Sequence, residues 1–169
     1  ITARNAISGL ETAIAVLNDL SSSSGGNIQL QDFDTFSGMD EGLEVVNAST
    51  AAGNIQIHAI NGLDVIQVSG SGTGSMVNLR SIEDSVNVRG DNPTDGVSST
   101  DTLTLEAAVN MNIQGPVEAP TQIELTAGNR LTTLTERIGL TTANLIISAK
   151  ETIPLDGETE AVNTLDLLS

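Results

Sequence analysis

The sequence predicts an all-β chain wound as a parallel β-helix, a β-solenoid of about seven rungs forming one domain over residues 1–169. Three observations predict it. A short alternating motif that ends in a small residue returns at near-regular intervals. Each copy is followed by a second alternating run, and no long amphipathic helical stretch separates one unit from the next.

Taken in chain order, the motif first appears as Ile28-Gln29-Leu30, with Asp32 where the later copies carry a small residue. It returns as Ile55-Gln56-Ile57-His58-Ala59, Val77-Asn78-Leu79-Arg80-Ser81, Leu103-Thr104-Leu105-Glu106-Ala107, Ile123-Glu124-Leu125-Thr126-Ala127 and Leu145-Ile146-Ile147-Ser148-Ala149. The leading residues stand at 28, 55, 77, 103, 123 and 145, so successive intervals are 27, 22, 26, 20 and 22 residues. That is the length of one supersecondary unit per repeat. The second runs are Leu63/Val65, Val86/Val88, Val109/Met111/Ile113, Leu131/Leu134 and Ile153/Leu155. Corners such as Ile60-Asn61-Gly62, Glu83-Asp84-Ser85 and Gly128-Asn129-Arg130 lead into them.

A rung therefore reads strand, corner, strand, then a variable loop. Period-two alternation turns Ile, Leu and Val inward, and the small residue marks a tight bend of the wall. Rungs stacked at the spacing of paired strands make a rod of about 30 to 35 Å. The alternative is an antiparallel β-sandwich or jelly roll, which also alternates. It needs no small residue at a fixed place in every unit, and it usually buries aromatics. This chain has only Phe33 and Phe36.

Residues 7–20 carry two readings. Ile7, Leu10, Ile14, Leu17 and Leu20 stand at helical spacing and would cap the first rung. Ile14 and Val16 alternate as a strand, and the match of residues 1–5 to residues 125–129 favours that strand rung. The run Ser21-Ser22-Ser23-Ser24-Gly25-Gly26 reads as a flexible loop.

The two termini suggest assembly. Placing Leu168-Ser169 before Ile1-Thr2-Ala3-Arg4-Asn5 reproduces residues 123–129 in type, so the ends are expected to complete one rung. Ile1, Thr2, Ala3, Leu168 and Ser169 are then assembly edges without a defending charge, proline or helix. They would pair head to tail with another copy, or with neighbouring repeats of a longer chain.

Composition narrows the chemistry. With no Cys, one His and one Lys, the chain has no thiolate metal site, disulfide or cysteine nucleophile, and an enzyme is not expected. A net charge of −16, from 22 acidic and 6 basic residues, repels phosphate backbones and anionic lipids, so neither nucleic acid nor membrane insertion is expected. Acidity with few Lys and many Ser, Thr, Asn and Gly favours a bacterial or archaeal protein at the cell surface or outside the cell. Carboxylates cluster at Asp32/Asp34, Asp40/Glu41, Glu83/Asp84, Asp91/Asp95 and Asp156/Glu158/Glu160. Of these, Asp91, Asp95, Asp156 and Glu158 are candidate Ca²⁺ ligands, against the plainer reading of solvated loop charge. No EF-hand or Gly-Gly-x-Gly-x-Asp spacing occurs, and no other cofactor is expected.

Paired acids can cleave glycosidic bonds, but the chain lacks aromatic sugar platforms. His58 falls at an outward position. Gly70-Ser71-Gly72-Thr73-Gly74 lacks the lysine and helix of a phosphate loop and reads as a turn. Thr-rich runs at 102–104 and 132–135 suggest an ice-binding array, but they do not fall in one register from rung to rung.

The phrases Gly-Asn-Ile-Gln-Ile (53–57), Leu-Thr-Ala-Gly-Asn (125–129) and Leu-Ile-Ile-Ser-Ala (145–149) resemble rungs of filamentous-haemagglutinin-like and other giant bacterial surface proteins. The resemblance implies a right-handed parallel β-helix serving as a stalk or adhesive rod, with no catalytic residues to transfer. The uneven segments 31–52 and 89–101 depart from the most regular members. The expected function is a structural module of a fibre, filament or adhesin stalk. The alternative is an adhesin that recognises glycan or protein through its variable loops, and a third reading is a remote polysaccharide-active β-helix.

Overall fold

A computed structural model describes residues 1–33, 42–92, 94–133 and 139–151, together with the backbone of Thr164–Leu168. Every strand pairing in it is parallel. Parallel pairing of successive segments without helices between them is the signature of a solenoid. Among the described residues there is no helix, hence none long and apolar enough to cross a membrane.

The pairings fall into three columns, so each turn of the coil has three faces. The first face stacks Ile7–Thr12, Ile28–Asp32, Ile55–Ala59, Val77–Ser81, Thr102–Ala107, residues 122–127, Asn144–Glu151 and Thr164–Leu168. The second stacks Val16–Leu17, residues 43–45 and 63–65, Val86–Val88, Asn110–Ile113 and residues 130–133. The third stacks Thr2–Ala3, Leu20–Ser22, residues 48–50 and 67–70, Gly96–Ser98, Val117–Glu118 and Leu140–Thr141. The coil makes about six turns. Six turns carry all three faces among the described residues, and Thr2–Ala3, Asn144–Glu151 and Thr164–Leu168 add partial turns, against the expected seven or so.

The lumen is the expected aliphatic column. Ile28, Ile55, Val77, Leu103, Ile123 and Leu145 lie in one register on the first face and are fully buried. Burying each such side chain contributes about 1.5 to 3 kcal/mol. The small corner residue forms its own column, Ala59, Ser81, Ala107, Ala127 and Ala149, in which Asp32 holds the earlier position. Phe33 is exposed on the surface, so the described core contains no aromatic ring.

The third face is the main departure from the expected rung. What reads in sequence as a variable loop is a short strand segment in which an inward aliphatic, an outward polar residue and an inward small residue follow one another. Leu20-Ser21-Ser22, Ala48-Ser49-Thr50, Val68-Ser69-Gly70 and Val117-Glu118-Ala119 are examples, each with both end residues buried. The presumed flexible loop at Ser21 thus begins as a strand. The uneven segments 31–52 and 89–101 likewise contain Leu43–Thr50 and Gly96–Ser98.

Residues 7–20 form strands and no helix. Their helical spacing has two causes. A β-bulge sets Ile7 and Leu10, three apart, against Ile28 and Leu30, two apart, with Gly9 at φ +63°. Leu17 and Leu20 then straddle the corner between the second and third faces, as Val45 and Ala48 do. The expected strand through Ile14 and Val16 is thus corrected in part: Val16–Leu17 is a strand with Val16 47% exposed and Leu17 buried, while Ile14 is half-buried outside any strand.

Val109 also sits outside the strand, half-buried at the corner before Asn110–Ile113. Thr133 pairs with Ile113 and takes the lumen position expected for Leu134. Leu134, Ile153 and Leu155 lie outside the described residues.

Candidate functional site

Two features of the surface are candidate sites: the N-terminal end of the coil and a polar trough along the second face. At the N-terminal end, Thr2–Ala3, Ile7–Thr12 and Val16–Leu17 each pair on one side only among the described residues. Their outer backbone groups form an open parallel edge, and Ala3, Leu10 and Ile14 pack on the core while only partly covered. The bulge at Gly9 lies in this edge. Such a bulge bends the strand and hinders indiscriminate pairing.

Asp32 closes the same end from inside. It is 1% exposed, and its Oδ1 accepts hydrogen bonds from Thr12 Oγ1 at 3.0 Å and from Ile14 N at 3.3 Å. A carboxylate in the small-residue column thus ties down the chain where the first rung turns its corner. Ile1 donates from its amino group to Asp19 O at 2.6 Å, and Thr2 Oγ1 donates to Asp19 Oδ2 at 3.2 Å.

The register of the two ends differs from the splice expected between them. Leu168 pairs with Ser148, which pairs with Thr126, so Leu168 stands level with Thr126 and not with Ile123. Thr2 and Ala3 pair with Ser21 and Ser22 on the third face and not on the first. The physical reason is that the third face also reads apolar, hydroxyl, small, so residues 1–3 match either column in type. Ser169 lies outside the described residues.

Of the candidate calcium ligands, Asp91 and Asp95 are among the described residues. Asp95 is buried, and its carboxylate accepts from Asn92 N at 2.7 Å and from Asn92 Nδ2, which uses it to shape its own loop. Asp91 is exposed beside it, while Asp156 and Glu158, like Asp34, Asp40, Glu41 and Glu160, lie outside the described residues. Among the described residues no three His, Cys, Asp or Glu side chains are grouped to hold a metal ion. His58 is half-exposed on the outer side of the first face, with Nε2 3.2 Å from Gln56 Nε2.

The Thr-rich runs share no register, Thr104 standing level with Glu124 and Thr132 with Asn112, but a different hydroxyl row does recur. It is the outward row Thr2, Ser21, Ser49, Ser69 and Ser98 on the third face, with Ser98 Oγ donating to Ser69 Oγ at 3.1 Å.

The trough follows from the second face's alternation. Between inward pairs such as Leu43/Val45 and Leu63/Val65, one residue per rung points out: Glu44, Asp64, Asn87 and Asn112 stand in register. They bond along the rod. Asn112 Nδ2 donates to Asn87 Oδ1 at 2.6 Å, and Asn87 Nδ2 donates to Asp64 Oδ1 at 2.5 Å. Arg89 reaches back to Asp64 Oδ2 at 2.5 Å and Glu44 Oε2 at 3.4 Å.

The hydrogen bond and charge of Asp64 hold the Arg89 pKa above its usual value, with Glu44 and Asp91 adding to the rise and burial opposing it. Gly42 and Gly62 leave the adjoining corner without side chains, and Asp84, Ser85, Ala15 and Val16 complete a trough of about 600 Å³. An ideal Cβ on Gly42 would lie within 1.9 Å of Gly62 O, so that corner admits only glycine without movement.

In sequence each member is the single polar residue between two aliphatics, and the row forms only across rungs. Comparison with known proteins adds no relative: no family model, no curated protein and no solved structure matches this chain.

Proposed function

We propose that this chain is a structural module of an extracellular or cell-surface fibre or adhesin stalk, extended by stacking further rungs head to tail against its ends. The observation that carries the reading is the stack itself, rung laid on rung in one parallel register over a continuous aliphatic lumen. Here the outermost described strands expose backbone on all three faces, with half-covered Ala3, Leu10 and Ile14 behind them.

A neighbouring rung supplies both missing partners at once, the hydrogen-bond ladder and the apolar lid. The bulge at Gly9 makes the junction selective, since an incoming strand must accommodate two residues against one. In a junction between copies, Thr164–Leu168 brings a first face and Thr2–Ala3 brings a third. The partner is a second copy or a like repeat, and the contact is heterologous and open-ended. The resemblance to filamentous-haemagglutinin-like rungs agrees with this role, which requires no catalytic group.

Sedimentation velocity over a concentration series, with negative-stain imaging of the same samples, tests the proposal. Unbranched rods of increasing length are expected. Particles of one length at every concentration overturn stacking between copies.

A further inference from the structure

We propose that the second-face trough binds a neutral, hydroxyl-rich chain, an oligosaccharide segment laid along the rod axis. The inference is independent of whether the rungs stack.

The shape comes first. The lining residues run from Val16 in the first rung to Asn112 in the fifth, about 19 Å at the spacing of paired strands. The volume of about 600 Å³ suits an extended small ligand. Gly42 and Gly62 line the trough without side chains, and Gly42 is held to glycine by the backbone of the next rung.

The chemistry then selects the ligand. Glu44, Asp64 and Asp84 outnumber Arg89, whose guanidinium is already engaged by two of them, so no free cation remains for a phosphate, sulfate or carboxylate ligand. A divalent ion lacks a converging set of three ligands among the described residues. Only Ala15 and Val16 are apolar, too little surface for a lipid or a hydrophobic helix.

What remains is a row that both donates and accepts. Carboxylate oxygens have lone pairs beyond those taken by Arg89 and Asn87, and Asn112 has a second amide hydrogen and its carbonyl oxygen left over from its bond to Asn87. A sugar hydroxyl is donor and acceptor together, so successive rungs present matching groups to successive hydroxyls. Half-exposed Val16 supplies an apolar contact for the C–H face of one ring. The rung-to-rung bonds fix these side chains beforehand, which lowers the ordering cost of binding.

The test uses the full chain on an array of neutral α- and β-linked glucans, mannans and galactans up to the hexasaccharide. Spermidine and a sulfated oligosaccharide serve as charged comparators, and calorimetry follows on the strongest neutral ligand. Binding of a neutral saccharide is expected to shift backbone resonances at Glu44, Asp64, Asn87 and Asn112. Asn112→Leu and Glu44→Gln should each weaken it at least about tenfold, the loss of one or two hydrogen bonds. Ser98→Ala, on the third face, should leave it unchanged, and thermal melts confirm that each variant is folded. Absence of neutral saccharide binding, binding of spermidine alone, or resonance shifts confined to the third face would each overturn the proposal.

Discussion

The first rung and the third rung are built from the same alternation but live in different surroundings. In Ile55–Ala59 every inward residue is buried between a strand above and a strand below. In Ile7–Thr12, whose register is shifted once by the Gly9 bulge, Leu10 and Thr12 are only partly covered, because nothing described lies beyond them. The lesson is that a rung's stability belongs to its two interfaces more than to its own residues.

The comparison is broken most severely at the corners. Gly128→Ala would place Cβ 1.9 Å from the backbone oxygen of Ala108. A cost of about 3 kcal/mol or more is expected, measured as a fall in the denaturation midpoint. Gly9→Ala, with nothing within 4 Å of the new Cβ, should cost only the left-handed backbone strain, about 1 to 2 kcal/mol. If both variants melt alike, tight stacking of corners is not what limits the sequence.

Lumen truncation comes next. Leu105→Ala should destabilise by about 2 to 5 kcal/mol, whereas Leu10→Ala, half-covered at the open end, should cost less than about 1.5 kcal/mol by the area it removes from water. Equal losses in a denaturant titration would show that the first rung is already covered in solution.

Asp32→Ala installs the corner residue that later rungs use but strands the Ile14 amide. Charged hydrogen bonds of this kind contribute about 1.5 to 3 kcal/mol, here to the first rung. Hydrogen exchange should accelerate over residues 7–17 while residues 77–81 keep their protection.

The smallest effect is expected at Arg89→Gln, because a part-exposed pair contributes roughly 1 kcal/mol or less. The raised pKa means that the contribution is complete below the ordinary arginine value and lost only as pH rises through the folded value above it. The difference in melting between wild type and Arg89→Gln should therefore not be removed by raising the pH from 7 to 10, a comparison thermal scans at the two pH values will check.

The first face was legible because five alternating residues ending in a small one are enough to establish a period. Leu103 to Ala107 and Ile123 to Ala127 fall in register as read. The third face was not, because strands such as Gly96–Ser98 are too short to show alternation, and their inner corner uses Ser, Thr and Gly. The first rung misled for a different reason: one extra residue at the Gly9 bulge turns a spacing of two into a spacing of three, which mimics a helix. The trough was hidden because Glu44, Asp64, Asn87 and Asn112 are about 20 or more residues apart in sequence and meet only through the period of the coil.

The coil itself is tested most directly by pulsed electron resonance between spin labels on its outer row. A label at Gln29 would be paired in turn with one at Thr104, Glu124 or Ile146, all in one register. These positions are three, four and five rungs away, so backbone separations near 14, 19 and 24 Å are expected, rising by about 4.8 Å per rung. Separations that fail to increase in that order, as in antiparallel layers, would contradict the parallel stack.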